Sequence, residues 1–279
     1  MGGGSWTADA FRVYTSTTKY CTLDSLGAID TSMSNQEMFK ASSIDPVLNP
    51  RNVKRECLDS EEHPNTVPVV LALDLTGSMG NAAVEIAKKL NVIMTNLYDK
   101  MTDIEFMIMG IGDLYCDRGP IQISQFESDI RIAEQLDKLW FEFGGGGNAW
   151  ESYTAAWYMA SRHCDLDCWK RGAKGIVITM GDERCNPYLE VDNLSRVTGD
   201  TLQSDVNTTD LYEEVTQKYD VYHINVIHGR DYDHDGIVKS WSFLGDHYKE
   251  ANLNNIADVI VDIITGGTST TNNSNGISW

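Results

Sequence analysis

Apolar and polar positions along this chain follow two rhythms. Unbroken apolar runs of strand length recur at Val69 to Leu73, Ile104 to Gly112, Gly175 to Met180 and Val221 to His228. Runs of this kind predict strands covered on both faces. Between them apolar residues return every three or four positions. Ala83, Ile86, Ala87, Leu90, Ile93, Met94 and Leu97 predict a helix over about 80 to 99, and the same period predicts helices at Asp129 to Phe141, Tyr153 to Arg162, Asp210 to Tyr219 and Leu253 to Ile264. Ile121 to Phe126 alternates instead, as an edge strand would. Strands interleaved with helices predict an α/β fold: a Rossmann-like, doubly wound, mainly parallel sheet flanked by helices. Right-handed crossovers then gather the strand C-terminal ends along one rim, where such sheets bind ligands.

The rhythm is missing at both ends. Residues 1–66 are polar with isolated hydrophobes, which predicts an arm packing on the 67–265 domain or on a neighbouring copy, so a homo-oligomer through the arm is one expectation. Residues 266–279 form a low-complexity tail.

Composition narrows the partners. The formal charge of −19 argues against nucleic acid and against an anionic membrane surface, because phosphates would be repelled. The N-terminus lacks an apolar signal core, and no segment reaches the ~20 apolar residues of a membrane helix. The expectation is a cytoplasmic protein, with association to a virion a variant of it. Six irregularly spaced cysteines fit reduced thiols better than a disulfide framework.

Chemistry collects at the strand exits. The first apolar run ends in Asp74, with Thr76 and Ser78 just behind it; the third leads to Asp182; and Asn148 follows four consecutive glycines, Gly144 to Gly147. All five supply oxygen. Two carboxylates with neutral donors suit Mg²⁺, or Mn²⁺, with a coordination position left for an incoming acid. Taken singly, Thr76, Ser78 and Asn148 read better as helix caps, and only their combination points to a site. Asp113 and Glu151 lie near the same rim as supporting groups.

DLTGSM at Asp74 to Met79 resembles the D-x-[ST]-x-S signature of the von Willebrand factor A domain family, where it forms a metal-ion-dependent adhesion site. GIGDLYCDRGPIQISQF is similar to the second-strand region of a subgroup that includes α-kinase-linked and hemicentin-like A domains, and GGGGNAWES resembles their GGGD-x-PE-S segment. The resemblance spans residues 67 to about 264. It implies a Rossmann-like fold, Mg²⁺ at the rim, and a protein ligand whose own Asp or Glu completes the metal shell. Asp74, Thr76 and Ser78 match position by position. Asn148 stands where the subgroup has Asp, and the usual third motif T-D-G is here Thr179, Met180, Gly181, so Asp182 is the substitute acid.

Other features weigh less. Asp231, Asp233 and Asp235 open like a calcium loop, but Ser242 stands where the bidentate Glu belongs, so a solvated acidic loop with a weak Ca²⁺ site as the minor alternative is expected. His163, Cys164 and Cys168 lack a C-x-x-C pair, which favours incidental thiols over zinc. His223 and His228 read as strand histidines, and the aromatics of 150–158 as packing. No nucleophile elbow or phosphate loop is present. The reading is a non-enzymatic protein-interaction module. Its alternatives are a bacterial or phage assembly protein using the fold as scaffold, and an Asp-based Mg²⁺ phosphatase with Asp74 as nucleophile.

Overall fold

The apolar runs pair with one another. In the computed structural model, which describes residues 4–142, 150–228 and 233–266, one sheet is built from β1 (Val67–Asp74), β2 (Ile104–Ile111), β3 (Ile121–Ile123), β4 (Gly175–Gly181), β5 (Tyr219–Val226) and β6 (Tyr248–Ala251). The strand order is β6-β5-β4-β1-β2-β3, and every pairing is parallel except β2 with β3. The chain winds outward from β1 to β3, then returns to the other side of β1 with β4. The winding therefore reverses between β1 and β4, the position at which open sheets of this kind place their ligands.

Eight helices are named here: α1 (Ala8–Thr18), α2 (Gly80–Tyr98), α3 (Arg131–Leu136), α4 (Thr154–Arg162), α5 (Val191–Thr198), α6 (Thr208–Thr216), α7 (His234–Trp241) and α8 (Ile256–Ile264). They explain why the strands are apolar throughout. Val69, Leu71 and Leu73 of β1 pack on the side of α2 and α8, whereas Val70 and Ala72 pack on the side of α4 and α6. With both faces dry, neither parity of the strand can be polar until Asp74, where β1 ends.

The hydrophobes of residues 4–48 lie against the first of these faces, whereas Val53 and Cys57 pack on the second. Trp6, Phe11, Met38, Phe39 and Leu48 are buried in the same cluster as α2, and the Trp6 indole N–H donates to Asn91 Oδ1 on α2 at 3.0 Å. Their hydrophobes are too widely spaced to make a period, yet each fills a place in a core built by other segments. No helix among the described residues is long and apolar enough to cross a membrane.

Four elements differ from expectation for identifiable reasons. The helix expected over 129–141 stops as α3, because the buried Gln122 side chain takes Trp140 like a short strand: Trp140 N–H donates to Gln122 Oε1 at 2.9 Å and Gln122 Nε2 donates to Trp140 O at 2.9 Å. Beside it, Arg55 Nη2 donates to Ile123 O on β3 at 2.8 Å. The last helix starts at Ile256 instead of Leu253, since the Asn252 and Asn255 side chains close a turn on the backbone before it. Strand β6 was hidden by its polar sequence, YKEA. Residues 234–241 form α7 where an acidic loop was expected.

Candidate metal centre

Asp74 is the last residue of β1, at the point where the winding reverses, and it is almost fully buried. Its two oxygens are held differently. Oδ1 accepts from the Thr76 backbone N–H at 2.7 Å and from the Thr76 hydroxyl at 2.6 Å, so a two-residue turn grips the carboxylate. Oδ2 accepts from the Tyr153 hydroxyl at 2.7 Å. Because Thr76 spends its proton on Asp74, its oxygen lone pairs remain available as a donor. Ser78 is exposed on the same turn and has no hydrogen-bond partner among the described residues. Helix α2 begins only at Gly80, and Met79 before it offers no side-chain cap. Neither Thr76 nor Ser78 is therefore a helix cap.

Asp182 follows β4 on the neighbouring exit. Its Oδ2 lies 3.4 Å from His228 Nε2, while Oδ1 is buried with no hydrogen-bond partner. Burial raises the Asp74 pKa above the usual carboxylate range, and the charge of Asp182 raises it further. The same crowding acts on Glu151, whose pKa is raised first by burial and then by Asp74, Asp117, Asp113 and Glu183. Glu151 Oε2 is also buried without a partner. Asp113 and Asp117 close the second rim turn, where Asp113 N–H donates to Asp117 Oδ2 at 2.8 Å and Tyr115 N–H donates to Asp113 Oδ1 at 2.9 Å. Burial and the surrounding carboxylates raise the Tyr153 pKa well above its ordinary value, which keeps the phenol protonated as a donor.

Two residues aim Tyr153. At Gly181 an added Cβ would lie 2.1 Å from the Tyr153 hydroxyl oxygen, so the ring occupies the place a side chain would take. Asn186 holds the start of α4: its Oδ1 accepts from Thr154 N–H at 3.1 Å and its Nδ2 donates to Thr154 Oγ1 at 2.6 Å. The sequence predicts packing for the aromatics of this segment. That holds for Trp157 and Tyr158, which are buried in the core, but Tyr153 also bonds the central carboxylate. His228 was expected on a strand; it stands just past β5 and faces Asp182. His223 is the core histidine, stacked on Trp241 with ring centroids 3.7 Å apart. Nothing in the spacing of Tyr153, Asn186 or His228 marked them.

The fold thus gathers Asp74, Thr76, Ser78 and Asp182 on two neighbouring strand exits, with Glu151 beside them. Asn148 and Asp231 lie outside the described residues. Asp233 is engaged by Arg184, and Asp235 is exposed in the first turn of α7. His163 is taken on both ring nitrogens, by Val53 O at 2.9 Å and Asp200 Oδ2 at 2.7 Å. Among the described residues no group of three or more His, Cys, Asp or Glu is arranged to hold a metal. The Asp74 turn differs from such a group in kind, since two of its three donors, Thr76 and Ser78, are hydroxyls. Hard oxygens around an unpartnered buried carboxylate atom fit Mg²⁺ in donor chemistry.

No protein-family model matches the chain, and no curated protein matches it. Solved structures do. The pilus adhesin SpaC from Lactobacillus rhamnosus GG, in its open conformation, is similar at 14% identity over 77% of this chain and 31% of that one, with a TM-score of 0.47. The vWF domain of the type V pili tip protein Mfa5 from Porphyromonas gingivalis is similar at 12% identity over 72% and 96%, with a TM-score of 0.43. The conserved hypothetical protein BatB from Bacteroides thetaiotaomicron is similar at 13% identity over 72% and 98%, with a TM-score of 0.45. The chain spans about a third of the length of SpaC. The doubly wound sheet seen here is the architecture that the resemblance to A domains implies.

Proposed function

We propose that this chain is a non-enzymatic protein-interaction module that holds Mg²⁺, or Mn²⁺, at Asp74, Thr76, Ser78 and Asp182, with Asn148 as a further donor, and binds an acidic side chain of a partner protein there. The observation that carries this reading is the pairing of Asp74 with Asp182 at the reversal of the sheet, where Asp182 Oδ1 is buried without a partner. Two carboxylates brought together away from water, one of them unsatisfied, are costly unless a cation answers them. Bound there, the cation would supply an open position for a carboxylate oxygen of the partner. Thr76 and Tyr153 orient Asp74 beforehand, and Gly181 makes room for Tyr153.

The phosphatase alternative meets a specific obstacle. Phosphatases of that kind carry a second acid two residues after the nucleophile, and here that position is Thr76, whose hydroxyl donates to Asp74 Oδ1. A scaffold role is the second reading; Trp6 and Phe11 of the N-terminal segment pack on their own domain, so the scaffold would offer other surfaces. Affinity capture with and without EDTA separates the two. Metal-dependent capture that Asp74→Ala abolishes supports the adhesion reading; capture indifferent to both favours the scaffold.

A further inference from the structure

A groove of about 530 Å³ lies between the N-terminal segment and α2, on the side of the sheet that carries α2 and α8. That volume is in the range of small-ligand sites. Its floor is apolar: Val84 of α2 is buried, and Met33 and Leu253 are half-buried beside it. Asn81, Val84, Glu85 and Lys88 recur three and four positions apart, so they form one stripe of α2 along the groove. At 1.5 Å per residue the stripe is about 10 Å long, the reach of about three extended residues.

The walls are fixed by bonds of their own. Ser34 N–H and the Ser34 hydroxyl both donate to Glu37 Oε2, at 2.8 and 2.7 Å, which closes the turn carrying Asn35 and Gln36. Across the groove Lys89 Nζ donates to Asn254 O at 2.9 Å and holds the segment of Leu253. Lys89 also pairs with Glu85 at 3.0 Å, so that acid is answered. Lys88 has no ion pair or hydrogen bond among the described residues, and neither do the side-chain amides of Asn35, Gln36 and Asn81.

These features select a ligand. The unpaired charge in the groove is positive, and a single lysine with no arginine beside it suits a carboxylate. The free amides each offer donors and an acceptor, as peptide N–H and C=O groups require. The apolar floor takes a side chain, and a groove this short favours a chain end over a chain passing through. We propose that it binds the carboxyl-terminal end of a peptide, with the α-carboxylate on Lys88, an apolar side chain from the last two residues on Met33, Val84 and Leu253, and the preceding backbone on Asn81. This site needs no metal and stands apart from the metal-dependent reading above.

The test is affinity selection, on the full chain in EDTA, from a pool of random hexapeptides with free carboxyl ends, with the recovered peptides read by mass spectrometry. Two amidated pools run beside it, one of them with a fixed internal Asp. The expected result is recovery of the free-acid pool about tenfold above both amidated pools, with Leu, Ile, Val or Met enriched at the last two positions. Lys88→Gln should lower recovery to the amidated level, and Lys88→Arg should keep it, which separates lost charge from lost fold. Equal recovery of free and amidated pools overturns the proposal. So does recovery of the internal-Asp pool at the free-acid level, a preference that survives Lys88→Gln, or no recovery at all. Each of these outcomes leaves the metal-dependent reading standing, because EDTA keeps that site out of the experiment.

Discussion

The Tyr153 hydroxyl donates to Asp74 Oδ2 at 2.7 Å across 79 positions of sequence, joining the start of α4 to the end of β1. It also accepts from Glu183 N–H at 3.3 Å, so one phenol ties three segments of the rim. Tyr153→Phe removes both bonds and keeps the ring. A hydrogen bond to a charged group is worth ~1.5–3 kcal/mol, so the variant should lose about 2 kcal/mol in urea unfolding without divalent cations. An unchanged midpoint would show that Asp74 does not depend on the phenol.

Gly181→Ala tests the same contact from the other side. The new Cβ would sit 2.3 Å from Tyr153 Cζ, far inside contact distance. Overpacking of this kind costs ~1–3 kcal/mol, and the displaced ring should also weaken Mg²⁺ binding. Thermal unfolding with and without Mg²⁺ reads both effects, and a variant that matches wild type in each sinks the argument.

Cation binding should register as stability. A ligand that binds only the folded chain adds about 2.7 kcal/mol at a hundredfold excess over its Kd. Mg²⁺ should therefore raise the Tm of wild type and leave Asp74→Asn and Asp182→Asn unmoved. If either variant responds as wild type does, that residue is not a ligand.

His223 sets an acid limit. Burial pushes its pKa down to about 3, against ~6.5 in an unfolded chain. Between those values the unfolded chain takes up a proton that the folded chain refuses, so this contribution to stability is complete above about pH 6.5 and drains away as the pH falls toward 3. His223→Gln should resist acid better than wild type, with the difference in unfolding free energy shifting in its favour by about 3 kcal/mol between pH 7 and pH 4. A difference independent of pH would mean that the imidazole takes up its proton in the fold as readily as in the unfolded chain.

The sheet was legible because burial on both faces leaves a plain mark, an apolar run ended by a polar residue. Asp74 and Thr76 were legible for a related reason: the bond between them spans two positions, and local spacing encodes it. Asp182 could be read from its place after β4. Tyr153, Asn186 and His228 could not, since their partners lie far away in sequence and their residue types serve packing as readily as sites. The early end of α3 was hidden as well. A buried glutamine that imitates a strand is indistinguishable in sequence from a surface one.

The Gln122–Trp140 bonds have a wider consequence. They hold the Trp140 segment on the Gln122 side chain, while Arg55 occupies the main-chain carbonyl of Ile123 on β3. At the opposite border, β6 has only four residues and carries Lys249 and Glu250 exposed. Short, charged or covered borders discourage strand addition from another molecule, the usual route to aggregation of sheets. Copies of this protein held at high local density would therefore stay separate along the sheet.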